Sequence, residues 1–385
     1  MLKRVFKRWI ALCLGAVLFG ASASQIQAAT PPVEVSAQSS ILMTADTGMV
    51  LFEKDSRERL PMASTTKIMT ALLTLEDAER LEDPVVEITE EMVAVEGSSM
   101  GLMAGDKISL SGLAVGMLLA SGNDAANAAA IYLAGSLEEF VEKMNQRAVE
   151  LGMKNTHFVT PSGLDGESSD GLGHYSTAYD MALLAREALK NEAFQELCSS
   201  SSYRVEFADP VKEVTYTNHN KLLTQYEGCI GVKTGYTKQA GRCLVSAAER
   251  DGTVLIAVTL NAPDDWNDHT LLLDYGFSQM ESYSLMGGDV QGRVPVVGSE
   301  QQTVSFYGQN GGTVSIPAGA EGEVSRQVYL APFLYAPIKI GDTVGEIRWY
   351  LNGTLLGSAP VLAGESASVQ EEKEGFWAGL LGTGS

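Results

Sequence analysis

Hydrophobic and polar positions divide the chain into three unlike stretches. The first holds one apolar run, Trp9 to Gly20, preceded by Lys3, Arg4, Lys7 and Arg8 and followed by Ala21-Ser22-Ala23. Basic, then apolar, then small residues is the order of an export signal. The run is shorter than the ~20 residues that a membrane span requires. Residues 1–29 are therefore expected to be a removable signal peptide, with a second cleavage point near Ala28-Ala29, and the chain to work outside the cytoplasmic membrane. Cys13 follows Leu12 rather than a small residue, which argues against a lipoprotein cut there.

The second stretch, 35–282, mixes two periods. Ser40 to Met43 and Met49 to Phe52 are short strand-like runs joined by the turn Asp46-Thr47-Gly48, a hairpin. From Ser64 to Glu79 the apolar residues Ile68, Met69, Leu72, Leu73 and Leu75 fall on one helical face. Helical spacing recurs over Leu110–Ala120, Asp124–Ala134, Leu137–Leu151 and Thr177–Leu189. The pattern then turns β-rich over Ile230–Thr234, Arg242–Ala248 and Val254–Leu260, an antiparallel meander, and a helix over Asp268–Tyr275 follows. Hairpin and meander together make a five-stranded antiparallel sheet whose faces the helices must cover. The third stretch, 283–365, loses helical spacing. Strands are expected at Thr303–Tyr307, Gly312–Ile316, Val324–Ala331 and Thr343–Leu351, a small all-β accessory domain. The fold class is α+β. Residues 366–385 form a tail, acidic and then apolar at Phe376-Trp377 and Leu380-Leu381. It is short and lacks a basic face, so it reads as a frayed end, with a weak membrane-surface contact as the alternative.

Composition adds exclusions. The net charge is −21, and removing the basic first segment makes it more negative. Such a chain repels phosphates and is not expected to bind nucleic acid. Cys198, Cys229 and Cys243 remain after Cys13 is removed. An odd number suggests no disulfide framework, so all three are read as small reduced side chains, with a Cys229–Cys243 pair as the alternative.

Candidate chemistry starts at Ser64-Thr65-Thr66-Lys67. Residues at i and i+3 share a helix face, so Lys67 can touch Ser64. A serine hydroxyl needs a base before it attacks, and lysine is one only if burial or a second cation lowers its pKa. Alone, such a pair on an exposed helix means nothing. Ser121-Gly122-Asn123 lies at a break between helices, where the Ser121 hydroxyl can relay a proton and the Asn123 amide can hold a substrate carbonyl; a plain turn would read the same. Lys233-Thr234-Gly235 ends a predicted strand, where Lys233 and Thr234 can bind a carboxylate and Gly235 admits a substrate strand; glycine equally suits a hairpin entry. Each pattern occurs once, and in this order they are those of the penicillin-recognising serine enzymes.

On these residues the chain resembles the serine-type D-alanyl-D-alanine carboxypeptidases, the low-molecular-mass penicillin-binding proteins of peptidase family S11. Pro61 to Lys67, Ser121 to Ala125, Gly231 to Thr237, Thr160 to Asp165 and His174 to Ala178 carry the resemblance. It implies a penicillin-binding/β-lactamase-like catalytic domain and export from a bacterium. Ser64 is then the nucleophile on the penultimate D-alanine of a peptidoglycan pentapeptide, Lys67 the base and Ser121 a proton relay. The backbone N–H groups of Ser64 and Tyr236 hold the oxyanion, and Lys233 and Thr234 hold the terminal carboxylate. β-Lactam antibiotics are implied as covalent inhibitors, with no metal and no cofactor. Many relatives carry an arginine matching 263–270 that assists carboxylate binding. Here Pro263 to Thr270 has none, and His269 is read as a surface or capping residue rather than its substitute. The rivals are a β-lactamase on the same scaffold and a non-catalytic cell-wall-binding protein. No Glu-x-x-Leu-Asn segment lies between Ser121 and Lys233, against the first. The complete set of Ser64, Lys67, Ser121 and Lys233 argues against the second.

Overall fold

A computed structural model describes residues 33–168 and 171–370. The expected signal peptide and the apolar end of the tail lie outside the described residues. In chain order the first two strands, β1 (Ser39–Thr44) and β2 (Val50–Lys54), form the expected hairpin. A single 3₁₀ turn, Ala63–Thr66, leads into α1 (Lys67–Arg80), followed by β3 (Val85–Glu87), α2 (Glu90–Val93) and β4 (Lys107–Ser109). Helices α3 (Leu110–Leu118), α4 (Asn123–Ala134), α5 (Leu137–Glu150), α6 (Ala178–Ala188) and α7 (Glu192–Ser199) come next. Then come β5 (Ser202–Asp209), β6 (Lys212–Thr217), α8 (Leu222–Gln225), β7 (Cys229–Thr237), β8 (Gly241–Arg250), β9 (Thr253–Leu260) and α9 (Asp265–Gln279).

Hairpin and meander share one antiparallel sheet in the order β2-β1-β9-β8-β7. Strand side chains alternate between its faces. Ile41, Met43, Val245, Ala247, Ile256 and Val258 join a core built with α1, α3, α4 and α6. Leu42, Leu244, Ala248, Leu255 and Ala257 pack on the other face against Leu272 and Leu273 of α9. Strand β7 is left at the sheet edge, and the turn before α1 packs against it.

Besides short elements not expected from the sequence, such as α7, two larger features differ from the sequence expectation. The helix begins at Lys67, not Ser64, because Thr65 Oγ1 and Thr66 Oγ1 donate back to the carbonyls of Met62 and Ala63 (2.6 and 2.8 Å) and tighten the first turn. A second sheet, β3-β4-β5-β6, was not expected. Its signal was present in the alternation of Tyr203, Val205 and Phe207 with Arg204 and Glu206.

Beyond α9 come β10 (Met280–Ser284), β11 (Gln291–Val297), β12 (Thr303–Gly308), β13 (Thr313–Pro317), β14 (Val324–Leu330), β15 (Leu334–Tyr335), β16 (Thr343–Leu351) and β17 (Thr354–Ala363). They enclose a separate core of Leu285, Val304, Ile316, Ile347, Trp349 and Val361. The part before α9 reaches these strands through the hairpin turn, where Asp46 Oδ2 accepts from Ser315 N at 2.5 Å. Residues past 365 are still tied in, since Ala367 pairs with Ile338 and Gln370 N donates to Gly298 O. Cys198, Cys229 and Cys243 are unpaired.

Candidate active site

The turn Ala63–Thr66 presents Ser64 at the start of α1. Backbone N–H groups there have no helical partner and carry the positive end of the helix dipole. Ala63 stands at φ +49°, a left-handed conformation that costs a non-glycine residue about 1–2 kcal/mol. Ser121, between α3 and α4, has φ +58°.

Lys67 is fully buried, and its Nζ has three neighbours: Ser64 Oγ at 3.0 Å, Asn123 Oδ1 at 2.6 Å and Ser162 O at 2.6 Å. The last two are acceptors only. A neutral amine has two N–H bonds to give them and one lone pair to turn to the Ser64 hydroxyl. Burial, reinforced by the charge of Lys233 and opposed by Asp124, drives the Lys67 pKa well below the usual lysine range. Geometry and burial therefore agree on an amine that can accept the Ser64 proton.

Lys233 is also buried. Its Nζ donates to Ser121 Oγ (3.1 Å) and to Thr234 O (2.9 Å), and burial lowers its pKa to about 7. Gly235 is where β7 touches the nucleophile turn. A Cβ there would lie 3.0 Å from Ser64 N and from Thr65 N and 3.1 Å from Met62 O, so the glycine serves close approach, not turn geometry. The Arg242 carbonyl accepts from Ala262 on the β9 side, so its cross-strand partner Tyr236 is a non-hydrogen-bonded pair. The Tyr236 N–H therefore faces the free edge of β7, as does the Ser64 side of the turn.

The eight residues singled out from sequence thus fall in one neighbourhood. Ser64, Ser121, Thr234, Gly235 and Tyr236 line a cleft of about 320 Å³, with Ser98, His219, Lys221, Arg242, Asp265 and Trp266. Lys67, Asn123 and Lys233 stand behind its wall. The Asn123 amide is engaged on both sides, accepting from Lys67 and donating to Glu96 O (2.6 Å), so one Nδ2 proton remains for a substrate carbonyl.

Several residues were missed as individuals. Ser162 O completes the Lys67 environment, and Gly163 makes that loop possible: its φ is +83°, and a Cβ would lie 2.0 Å from Ala63 O. His174 fastens the same loop. Its Nδ1 accepts from Val159 N (2.9 Å), so Nε2 carries the proton and donates to Thr66 Oγ1 (2.7 Å). Burial lowers its pKa to about 3, which keeps this arrangement neutral. Asp124 accepts from Ser99 Oγ and from the N–H groups of Met100, Gly101 and Leu102, shaping the loop that carries Ser98. Only local sequence similarity pointed to 160–165 and 174–178; nothing in their spacing announced a contact with Lys67.

One expectation is corrected. His269 is neither surface nor capping. It is fully buried under the sheet, with Nδ1 on Ser246 Oγ and Nε2 on Thr259 Oγ1, and its pKa falls to about 3. Those two hydroxyls lie on the α9 face of β8 and β9 and require a polar partner there.

A nucleophilic hydroxyl, a buried amine and an open strand edge form the arrangement of a serine acyl-transfer enzyme. The family model described as D-alanyl-D-alanine carboxypeptidase matches residues 25–264, and that of the C-terminal domain of penicillin-binding protein 5 matches 284–368. The chain belongs to the D-alanyl-D-alanine carboxypeptidase family. It is 36% identical to the D-alanyl-D-alanine carboxypeptidase DacF of Bacillus subtilis over 88% of this chain and 87% of that protein. With DacC of Escherichia coli it shares 33% identity, over 94% and 90%. Among solved structures, penicillin-binding protein 5 of Haemophilus influenzae superposes with a TM-score of 0.67 at 28% identity, covering 88% of this chain and 99% of that one.

Proposed function

We propose that the protein removes the terminal D-alanine from peptidoglycan stem peptides through an acyl-enzyme on Ser64, and that penicillin acylates the same oxygen. The observation that carries this reading is the Lys67 amine, held by two obligate acceptors with its remaining direction on Ser64 Oγ. As Ser64 Oγ attacks the carbonyl of the penultimate D-alanine, its proton passes to Lys67 Nζ. The oxyanion is met by the N–H groups of Ser64 and Tyr236. The departing amine takes a proton through Ser121, which Lys233 contacts at 3.1 Å. Water then hydrolyses the ester and frees the shortened peptide. Thr234 and Lys233 receive the terminal carboxylate, and Asn123 orients the base.

The enzyme is a serine-type carboxypeptidase in this reading, exported after removal of residues 1–29 and acting at the bacterial cell wall, with residues 35–282 catalytic and 283–365 accessory. The β-lactamase alternative is disfavoured at Lys67 itself. The 160–165 loop offers that amine a backbone carbonyl, while its acid, Asp165, accepts from Thr237 Oγ1 at 3.2 Å. The carboxylate of that loop is thereby engaged with Thr237 rather than set beside Lys67 to activate a water against a penicilloyl ester. The test is D-alanine release from diacetyl-lysyl-D-alanyl-D-alanine by wild type and Ser64→Ala, beside labelling with a fluorescent penicillin. Release and labelling by wild type, both lost in the variant, support the reading. No release by wild type overturns it, and rapid repeated nitrocefin turnover would favour the lactamase instead.

A further inference from the structure

The leaving residue, if the proposed function holds, carries a free carboxylate, and the cleft must supply it a cation. Lys233 is poorly placed to do so alone. It is 1% exposed, its Nζ is already committed to Ser121 Oγ and Thr234 O, and it loses its proton near neutral pH. His219 has its pKa lowered by partial desolvation and by the nearby charge of Lys233, which weakens it as a cation. Lys221 is exposed at the rim, on a side chain that nothing in the cleft holds in place.

Arg242 differs from all three. It lines the cleft at the start of β8, directly across from Tyr236. Its Nε and Nη2 both donate to Asp265 Oδ1, at 2.9 and 2.7 Å, and its guanidinium lies 5.6 Å from the Trp266 ring centre. The Asp265 side chain is 4% exposed while that of Arg242 is 41% exposed. The acid is thus a buried anchor and the guanidinium faces outward, with Nη1 bearing two N–H groups that have no protein partner among the described residues. An arginine pinned on one edge is pre-organised to receive a carboxylate on the other. Thr234 lies two residues from Tyr236 along β7, about 7 Å away, so a carboxylate between them can meet both the Thr234 hydroxyl and Nη1. The stretch 263–270, which lacks an arginine, supplies the anchor and the ring that hold one arriving from the neighbouring strand.

We propose that Arg242, held by Asp265 and Trp266, binds the free carboxylate of the leaving residue together with Thr234 and makes the enzyme selective for acidic C-termini. The inference rests on the carboxypeptidase reading. Its test uses two esters that differ only in that group: diacetyl-lysyl-D-alanyl-D-lactate and the corresponding lactamide. Arg242→Gln should lower kcat/KM for the lactate ester about 10- to 100-fold, the scale of one lost charged hydrogen bond. The lactamide should change less than about threefold on the same scale. Arg242→Lys should restore part of the preference. A pH profile gives a readout that a merely structural role would not move. Wild type should keep its preference for the carboxylate up to about pH 9, because a guanidinium does not titrate there. In Arg242→Gln the residual preference should fade as pH rises through about 7, where Lys233 loses its proton. Equal losses on both esters, or none on either, overturn the assignment of Arg242 while leaving the carboxypeptidase reading intact. A wild type that cleaves neither ester and releases no D-alanine from the peptide overturns both.

Discussion

The region around Ser64 and the region beyond α9 treat polar side chains in opposite ways. In the first, Lys67, Lys233, Asn123, Asp124, His174 and His269 are all buried, and each has specific partners. In the second, Ser315 is the one buried polar side chain among the described residues, and its Oγ has no partner. Charges there stay at the surface in pairs such as Arg326–Asp289 and Arg348–Glu346. Burying a charge is expensive unless hydrogen bonds replace its water. A fold that does so repeatedly in one place has shifted its pKa values there, and such clusters mark chemistry. The β-rich part shows the default: an apolar core with polar groups left to solvent.

Removing Lys67 should break this contrast most severely. Lys67→Ala should reduce acylation by a fluorescent penicillin by at least about 10³-fold, since among the described residues no other base is hydrogen-bonded to Ser64. Lys67→Arg should not restore it, because a guanidinium cannot give up its proton. In wild type the rate should fall as pH drops through the lowered Lys67 pKa, where the amine gains a proton and ceases to be a base. Gly235→Ala comes next. The new Cβ would press on Ser64 N and Thr65 N and part the strand from the turn. Misplacing an oxyanion donor should lower kcat for D-alanine release by about 10²-fold. Melting temperature should change little by comparison; a large drop in melting with normal turnover would contradict the role given to this contact.

How much of this arrangement was readable in sequence depended on whether a residue's partner lay nearby in the chain. Ser64 and Lys67 are one turn apart, and their contact followed from helical spacing. The five-stranded sheet followed from alternation in the hairpin and meander, each a local pattern. Ser162 and Arg242 were not legible as site residues. Ser162 acts through its carbonyl, to which its side chain gives no clue, and its partner is 95 positions away. Arg242 sits in an ordinary strand pattern, and its meaning depends on Asp265 across a loop. His269 misled because its neighbours in the chain give it no visible partner, while the reason for its burial lies in Ser246 and Thr259 on two other elements. The β3-β4-β5-β6 sheet escaped because its first two strands have three residues each, too short for a period to declare itself.

Acid should separate the two regions thermodynamically. His174 and His269 have folded pKa values near 3 against an ordinary 6.5. Their folded pKa is depressed, so the unfolded chain binds more protons between those limits. Stability is full above about pH 6.5 and is lost as pH falls toward 3, by up to about 1.4 kcal/mol per pH unit for each histidine. All four histidines precede residue 270, so the β-rich part contributes none of the histidine share of this slope. Denaturant unfolding of His269→Gln should show lower stability at pH 7, by about 1–3 kcal/mol for the disturbed buried hydrogen bonds, but a shallower decline from pH 6.5 to 4. An unchanged slope would mean that the buried imidazole is not the group that titrates.

The smallest effect should come from the surface pairs of the β-rich part. Arg348 donates to Glu346 at 2.8 Å and lies 4.9 Å from the Tyr329 ring centre, a geometry that looks stabilising. Both side chains are open to water, however, with 42% and 36% exposure. Water already solvates each charge well, and holding two long side chains in register costs conformational entropy. Arg348→Ala should therefore leave both D-alanine release and melting temperature within experimental error of wild type. The same substitution type at Arg242 removes an arginine of equal exposure and similar pairing, yet should cost activity. The difference between the two arginines lies in the partner: Asp265 is buried and fixes its guanidinium toward a cleft, whereas Glu346 is itself exposed to solvent. Equal outcomes at the two sites would show that exposure alone, and not the buried anchor, decides what a surface arginine contributes.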